Sequence, residues 1–134
     1  MKLFITFQFN QGKNKLEIEH LCNLVREAGF EDFCFIRDVE NYQKIFDDSR
    51  ELMTRAKQEI SGCDALLIDL TDKSTGRAIE AGMAFSMGKK IIVIAKKGTL
   101  LKDTAKGIAD LIIEYDKIDD IVPELKNILA ETNK

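Results

Sequence analysis

Five short apolar runs, several rich in β-branched residues, alternate with stretches in which apolar positions recur at helical spacing. Lys2–Phe7, Phe33–Ile36, Ala65–Leu70, Lys90–Ala95 and Leu111–Tyr115 are the predicted strands. Between the first two, Leu16, Leu21, Leu24, Val25 and Ala28 mark the apolar stripe of a helix. Asn14 and Glu17 are placed as a capping box at its start, and Gly29 closes it. A polar, irregular segment, Arg37–Phe46, precedes Asp47-Asp48-Ser49, whose caps and charge predict a helix over Ser49–Ser61 that stops at Gly62. Thr75–Met87 has helical spacing, with Ile79, Met83 and Met87 along one side, and links two strands as a crossover unit. Asp119-Asp120 and Pro123 in a first turn introduce the closing helix, Ile121–Glu131.

Strands alternating with helices throughout predict a three-layer α/β sandwich around a five-stranded, mostly parallel sheet. Five strands suit the flavodoxin-like order 2-1-3-4-5, in which ligands bind beyond the carboxyl ends of the strands at the switch point between the first and third. The loops Thr6–Lys13 and Leu70–Glu80 are therefore the candidate binding loops.

Composition narrows the chemistry. The 134 residues are 45% apolar and 32% charged, with a formal net charge of -3, as expected of one ordinary globular domain spanning 1–134. A weakly acidic chain lacks the lysine and arginine excess that extended nucleic-acid binding needs, though a small anionic ligand is compatible with it. No apolar run is long enough to span a membrane and no signal-peptide pattern opens the chain, so the cytoplasm is the expected location. Cys22, Cys34 and Cys63 are widely spaced and read as buried thiols, and His20 stands alone. No metal site and no cofactor is implied, and acid–base chemistry falls to carboxylates.

The most informative stretch runs Asp69-Leu70-Thr71-Asp72-Lys73-Ser74-Thr75-Gly76-Arg77-Ala78-Ile79-Glu80. It combines hydroxyls, a glycine and carboxylates at a strand-to-helix turn, where free backbone N–H groups form a site for a phosphate or a sugar hydroxyl. The lysine spacing of a P-loop is absent. Glu80 lies in the first turns of that helix, where the macrodipole favours its ionised form, as a nucleophile or simply as a surface residue complementing the dipole. Arg77 is expected either to pair with a phosphate or to be a solvated surface residue. The candidate substrate-binding residues of the two loops are Thr6, Gln8, Thr71, Asp72, Ser74, Gly76 and Ala78.

Cys63–Thr71, Ser74-Thr75-Gly76, Ile79-Glu80-Ala81-Gly82-Met83-Ala84 and Gly88–Val93 together resemble the nucleoside 2-deoxyribosyltransferase family, including the 2'-deoxynucleoside 5'-phosphate N-hydrolases. The resemblance implies that Glu80 attacks C1' of a deoxyribose and releases the base. It also implies that Ser74, Gly76 and the Ala78 N–H hold the sugar or 5'-phosphate, and that Asp69 lines the pocket. Asp69 or Asp72 would help the base to leave, the substrate would be a small nucleoside or nucleotide, and the protein would form a homo-oligomer. Phe7, Phe9 and Met87 are the candidate apolar contact residues.

The chain departs from the family pattern in three places: Thr6-Phe7-Gln8-Phe9 after the first strand, Thr54-Arg55-Ala56-Lys57 where the family carries an aspartate, and Asp110-Leu111 where it carries Asp-Asn. These departures motivate a second reading, a non-catalytic nucleotide-binding or sensing module. A third follows from Leu3–Gln8, which resembles the first strand of TIR domains, some of which hydrolyse NAD with a helix-borne glutamate.

Overall fold

Parallel strands covered on both faces need near-continuous apolar sequence, and Ala65–Asp69 meets that demand with five buried residues. In the computed structural model, which describes residues 1–8, 10, 14–72 and 74–132, it forms β3 at the centre of the sheet. The other strands are β1 (Lys2–Thr6), β2 (Glu31–Cys34), β4 (Lys90–Lys96) and β5 (Leu111–Tyr115). Their order is β2-β1-β3-β4-β5 and every neighbouring pair is parallel, the order expected from sequence.

Side chains alternate across the sheet and build two cores. On one face Leu3, Ile5, Leu67, Ile92 and Ile94 pack with α1 (Lys15–Glu27) and α6 (Ile121–Thr132). On the other, Phe4, Leu66, Ile68, Ile91 and Val93 pack with α3 (Ser49–Ser61) and α4 (Thr75–Ser86). All three cysteines are buried.

Several expectations are corrected. The second strand begins two residues earlier than Phe33 and ends at Cys34, because Phe35–Asp38 turns into a one-turn helix, α2, whose Asp38 carboxylate accepts the Cys34 N–H at 2.9 Å. The β2 edge has one strand neighbour, so it accommodates Glu31 and Asp32, and Asp32 pairs with Arg26 and Arg37. In α1 the buried stripe is Ile18, Leu21, Cys22, Leu24 and Val25, and Leu16 is 85% exposed because it projects from the opposite side of the helix. In α4 the buried residues are Arg77, Ala81 and Ala84, whereas Ile79 is exposed and Met83 and Met87 sit at the core margin. Small alanines at this spacing let α4 lie close to the sheet.

Asn14 does not close a capping box. Its side chain ties the loop after β1 instead, accepting the Asn10 N–H at 2.9 Å and donating to the Gln8 carbonyl. Phe9, Gln11 and Gly12 of this loop lie outside the described residues. A short helix absent from the sequence reading, α5 (Asp103–Ile108), follows β4; none of its residues is buried, so it left no apolar stripe to detect.

Gly29 leaves α1 with φ +103°, and a Cβ there would come within 3.0 Å of Leu129 Cδ1. Gly29→Ala is expected to lower unfolding free energy by about 1–2 kcal/mol, as measured by urea denaturation.

Candidate active site

The strand order reverses at β1, which has β2 on one side and β3 on the other, so the chains leaving β1 and β3 diverge and open a crevice between them. Thr6 is the last residue of β1, and its side chain falls on the Phe4 face of the sheet, the face that α3 and α4 cover. From β3 the chain turns through Leu70–Ser74 into α4. Ser74 is the N-cap of that helix, and its hydroxyl accepts the Arg77 N–H at 3.4 Å.

Arg77 organises this turn from within. It is 5% exposed, and its guanidinium donates to the Asp69 carbonyl at 2.6 Å and to the Asp72 carbonyl at 3.3 Å. It is not a solvated surface residue, because it satisfies carbonyls at the end of β3.

The Asp69 side chain follows the alternation of Leu67 and stands on the opposite face from Thr6. Its carboxylate accepts the Thr71 N–H at 2.8 Å and the Tyr115 hydroxyl at 2.6 Å. Burial and the Asp69 carboxylate push the Tyr115 hydroxyl well above its usual range. The Thr71 hydroxyl in turn accepts the Lys96 N–H at 3.0 Å, so Asp69 and Thr71 lock the turn to the ends of β4 and β5.

Glu80 points the other way. Its carboxylate accepts the Thr6 hydroxyl at 3.3 Å and is pushed up to about 7, chiefly by burial. The Thr6 hydrogen bond opposes that rise, the Glu40 charge adds to it and Arg77 moderates it. A cavity of about 250 Å3 adjoins this carboxylate, bordered by Thr6, Ser74, Gly76, Arg77 and Glu80 on one side. Phe35, Leu52, Met53 and Ala56 supply an apolar wall, and Glu40 completes the lining. The wall residues include Ala56 of the Thr54–Lys57 stretch, so methyl and methylene groups face Glu80 where the family pattern would place an aspartate.

The sequence-predicted residues thus fall into three groups. Thr6, Ser74, Gly76 and Glu80 meet at the smaller cavity. Asp72, Ser74 and Ala78 line a second, larger and mostly apolar groove of about 610 Å3 between α4 and α5, with Ser74 common to both. Asp69 and Thr71 line neither, and the Gln8 side chain is exposed while its carbonyl accepts from Asn14. Sequence reasoning missed Glu40, which lies in a segment with no periodicity and comes to the cavity only through the tertiary fold.

Neither a protein-family model nor a curated protein sequence matches the chain. Among solved structures it is similar to the CMP N-glycosidase BcmB of Clostridium botulinum, at 24% identity and a TM-score of 0.66 over 93% of this chain and 98% of that one. It is also similar to a 2-deoxyribosyltransferase of Bacillus psychrosaccharolyticus, at 18% identity and a TM-score of 0.69 over 91% and 90% of the two chains. The chain has the fold of these two enzymes. A conserved protein of Enterococcus faecalis shares it as well, at 12% identity and a TM-score of 0.79 over 96% and 98%. A fold shared this widely is a scaffold, so function has to be argued from the site.

Proposed function

We infer that this protein cleaves or transfers the N-glycosidic bond of a small nucleoside or nucleotide, with Glu80 as the nucleophile, and that it belongs with the nucleoside 2-deoxyribosyltransferases. The observation that carries the reading is the Glu80 carboxylate itself, held by Thr6 against an apolar wall beside a cavity at the switch point. Desolvation makes a carboxylate more basic and more nucleophilic, and a value of about 7 leaves a large ionised fraction at neutral pH. The similarity in fold to an N-glycosidase and a deoxyribosyltransferase adds support.

In this reading the pentose enters the cavity with C1' facing Glu80. Thr6 holds the attacking carboxylate, while Ser74 and Gly76, at the positive end of α4, receive a sugar hydroxyl or the 5'-phosphate. No contact awaits a Cβ at Gly76, so a ligand can approach the backbone there. A volume of about 250 Å3 is small beside the roughly 300–1,000 Å3 of ligand pockets, which suits a sugar with its substituents reaching the rim. Asp72 and Ala78 face the neighbouring groove and Gln8 is exposed, so this reading gives them no contact with the sugar, and Asp69 with Thr71 acts by holding the turn.

The test is incubation of the protein with deoxynucleosides, ribonucleosides, their 5'-monophosphates and NAD, with free base followed by chromatography. Base release from at least one nucleoside or nucleotide is expected. Binding without turnover across the whole panel would instead favour a sensing module, and nicotinamide release alone a TIR-like hydrolase.

Homo-oligomerisation and a cytoplasmic setting belong to the same proposal. Ile79 and Phe85 of α4 are 49% and 53% exposed, an apolar surface that a second copy would cover. The residues expected to do this from sequence are placed otherwise: Phe7 and Met87 are partly buried against the cores. Sedimentation is expected to give at least a dimer, and a monomer at all concentrations would remove this part of the reading. Among the described residues no helix is long and apolar enough to cross a membrane.

A further inference from the structure

We propose that the Glu80 cavity selects N-glycosides whose base carries a positive charge, such as pyridinium nucleosides and ring-alkylated base cations, and that Glu40 sets this preference. The proposal rests on the glycosidic reading above and names its substrate class. Breaking a C1'–N bond leaves an electron pair on the base. A neutral base needs a proton at that moment, whereas a cationic base takes the pair and leaves neutral.

The lining suits the second case. The two aspartates considered from sequence as help for a departing base stand elsewhere: the Asp69 carboxylate accepts the Thr71 N–H and the Tyr115 hydroxyl, and Asp72 borders the other groove. Among the described residues, the charged side chains bordering the Glu80 cavity are Glu40, Arg77 and Glu80. The Arg77 guanidinium is committed to the Asp69 and Asp72 carbonyls. Two carboxylates against one guanidinium leave the lining with an excess of negative charge when both are ionised. Facing them are the ring of Phe35, the thioether of Met53 and the aliphatic groups of Leu52 and Ala56. An aromatic ring and a polarisable sulfur beside a carboxylate, in a hollow where burial already weighs on both glutamates, form an environment that holds an organic cation.

Glu40 and Phe35 come to the cavity as a unit. The Glu40 N–H donates to the Phe35 carbonyl at 3.1 Å, so the carboxylate and the ring belong to one backbone turn that follows β2. Around Glu80 stand Thr6 at the end of β1, Glu40, Arg77 on its own helix and the apolar residues of α3. Burial is the main reason that Glu80 is raised, and the Glu40 charge adds to it, so the two carboxylates oppose each other's ionisation. A cation in the same cavity offsets that repulsion and favours the ionised nucleophile, an advantage that a neutral substrate does not bring.

The chemistry balances with water as the only further reactant. A Glu80 carboxylate oxygen bonds to C1' as the C1'–N bond breaks, and the bonding pair returns to the ring nitrogen, which cancels the positive charge of the base. The base leaves neutral and no proton moves in this step. The oxygen of a water molecule then bonds to C1', the bond between C1' and Glu80 breaks, the carboxylate is restored and the proton from the water passes to solvent.

The experiment uses two matched pairs at neutral pH, nicotinamide riboside against its neutral dihydro form and 3-methylcytidine, a cation at this pH, against cytidine. Two unrelated rings are used so that charge is tested rather than one base. Binding is measured by calorimetry on the intact Glu80→Gln chain, where it is read without turnover, and base release is followed with the wild type. The cationic member of each pair is expected to bind about tenfold more tightly or better, and to show the larger acceleration by the wild type over its own uncatalysed rate. Adding Glu40→Gln to Glu80→Gln is expected to bring the two members of each pair within about twofold of one another, and Glu40→Asp to keep part of the preference. Thermal unfolding shows that each variant is folded.

Equal affinity within either pair, or a preference that survives Glu40→Gln in a folded variant, overturns the inference, and base release from any nucleoside then leaves the Glu80 reading intact. Cation-selective binding that Glu40→Gln abolishes, without base release from any substrate, upholds the preference of the cavity and overturns the glycosidic reading. No binding of either member of the pairs removes the inference.

Discussion

Glu80→Ala is expected to abolish detectable base release, a loss on the order of 10⁴–10⁶ in kcat by analogy with removal of other nucleophiles, while nucleotide affinity changes by less than about tenfold. The asymmetry follows from where Glu80 stands. Its carboxylate would meet the reacting atom, whereas Ser74 and Gly76, which would hold the rest of the ligand, belong to a turn anchored by Arg77 rather than by Glu80. In the wild type, activity is expected to rise with pH through about 7, because below that value the nucleophile carries a proton. A rate that falls through the same range, or a Glu80→Ala variant that retains turnover, would assign the chemistry elsewhere.

Glu80→Gln is expected to unfold at a higher temperature than the wild type at pH 8, with the advantage disappearing towards pH 4.5. A carboxyl raised from 4.5 to about 7 by folding is destabilising when ionised, so the wild type loses stability as pH climbs between those values. The full shift converts to roughly 3 kcal/mol, and because the side chain is only partly buried, solvent screening reduces this to about 1–2 kcal/mol. For a chain of this length that is about 4–8 °C in Tm, read by calorimetry across the pH series. The amide keeps the size of the side chain and can still meet the Thr6 hydroxyl. A stabilised but inactive variant is the signature of a group retained for chemistry at the expense of stability.

The sheet was legible because each central strand must be apolar on both faces, which leaves runs such as Leu66–Ile68 and Ile91–Ile94 that no amphipathic helix would carry. Strand order followed from the alternation of elements. Helix facing was less legible where the buried residues are small or polar: in α4 the stripe toward the sheet is Arg77, Ala81 and Ala84, and hydropathy favours Ile79 and Met83 instead. The edge strand β2 was misplaced because, with one strand neighbour, it tolerates Glu31 and Asp32, and its apolar continuation Phe35-Ile36 belongs to the next helix.

For the candidate site, the Ser74–Glu80 turn could be read from local chemistry because its residues are contiguous in sequence. The partners could not. Thr6 and Glu80 are 74 positions apart, and Glu40 comes to the cavity from a segment that carries no periodicity. Asp69 shows the converse limit: a strand-end carboxylate beside the turn in sequence stands across the sheet from Glu80, because successive strand residues face opposite sides.

One feature of α4 makes these predictions accessible to spectroscopy. Gly82 lies two residues beyond Glu80, on the other side of the helix, and a Cβ added there meets no neighbour within 4 Å. Since the three native thiols are all buried, a cysteine introduced at position 82 would be the sole one open to a fluorophore or spin label. Such a reporter would sit in the larger groove, outside the Glu80 cavity, and register occupancy through the helix that both hollows share.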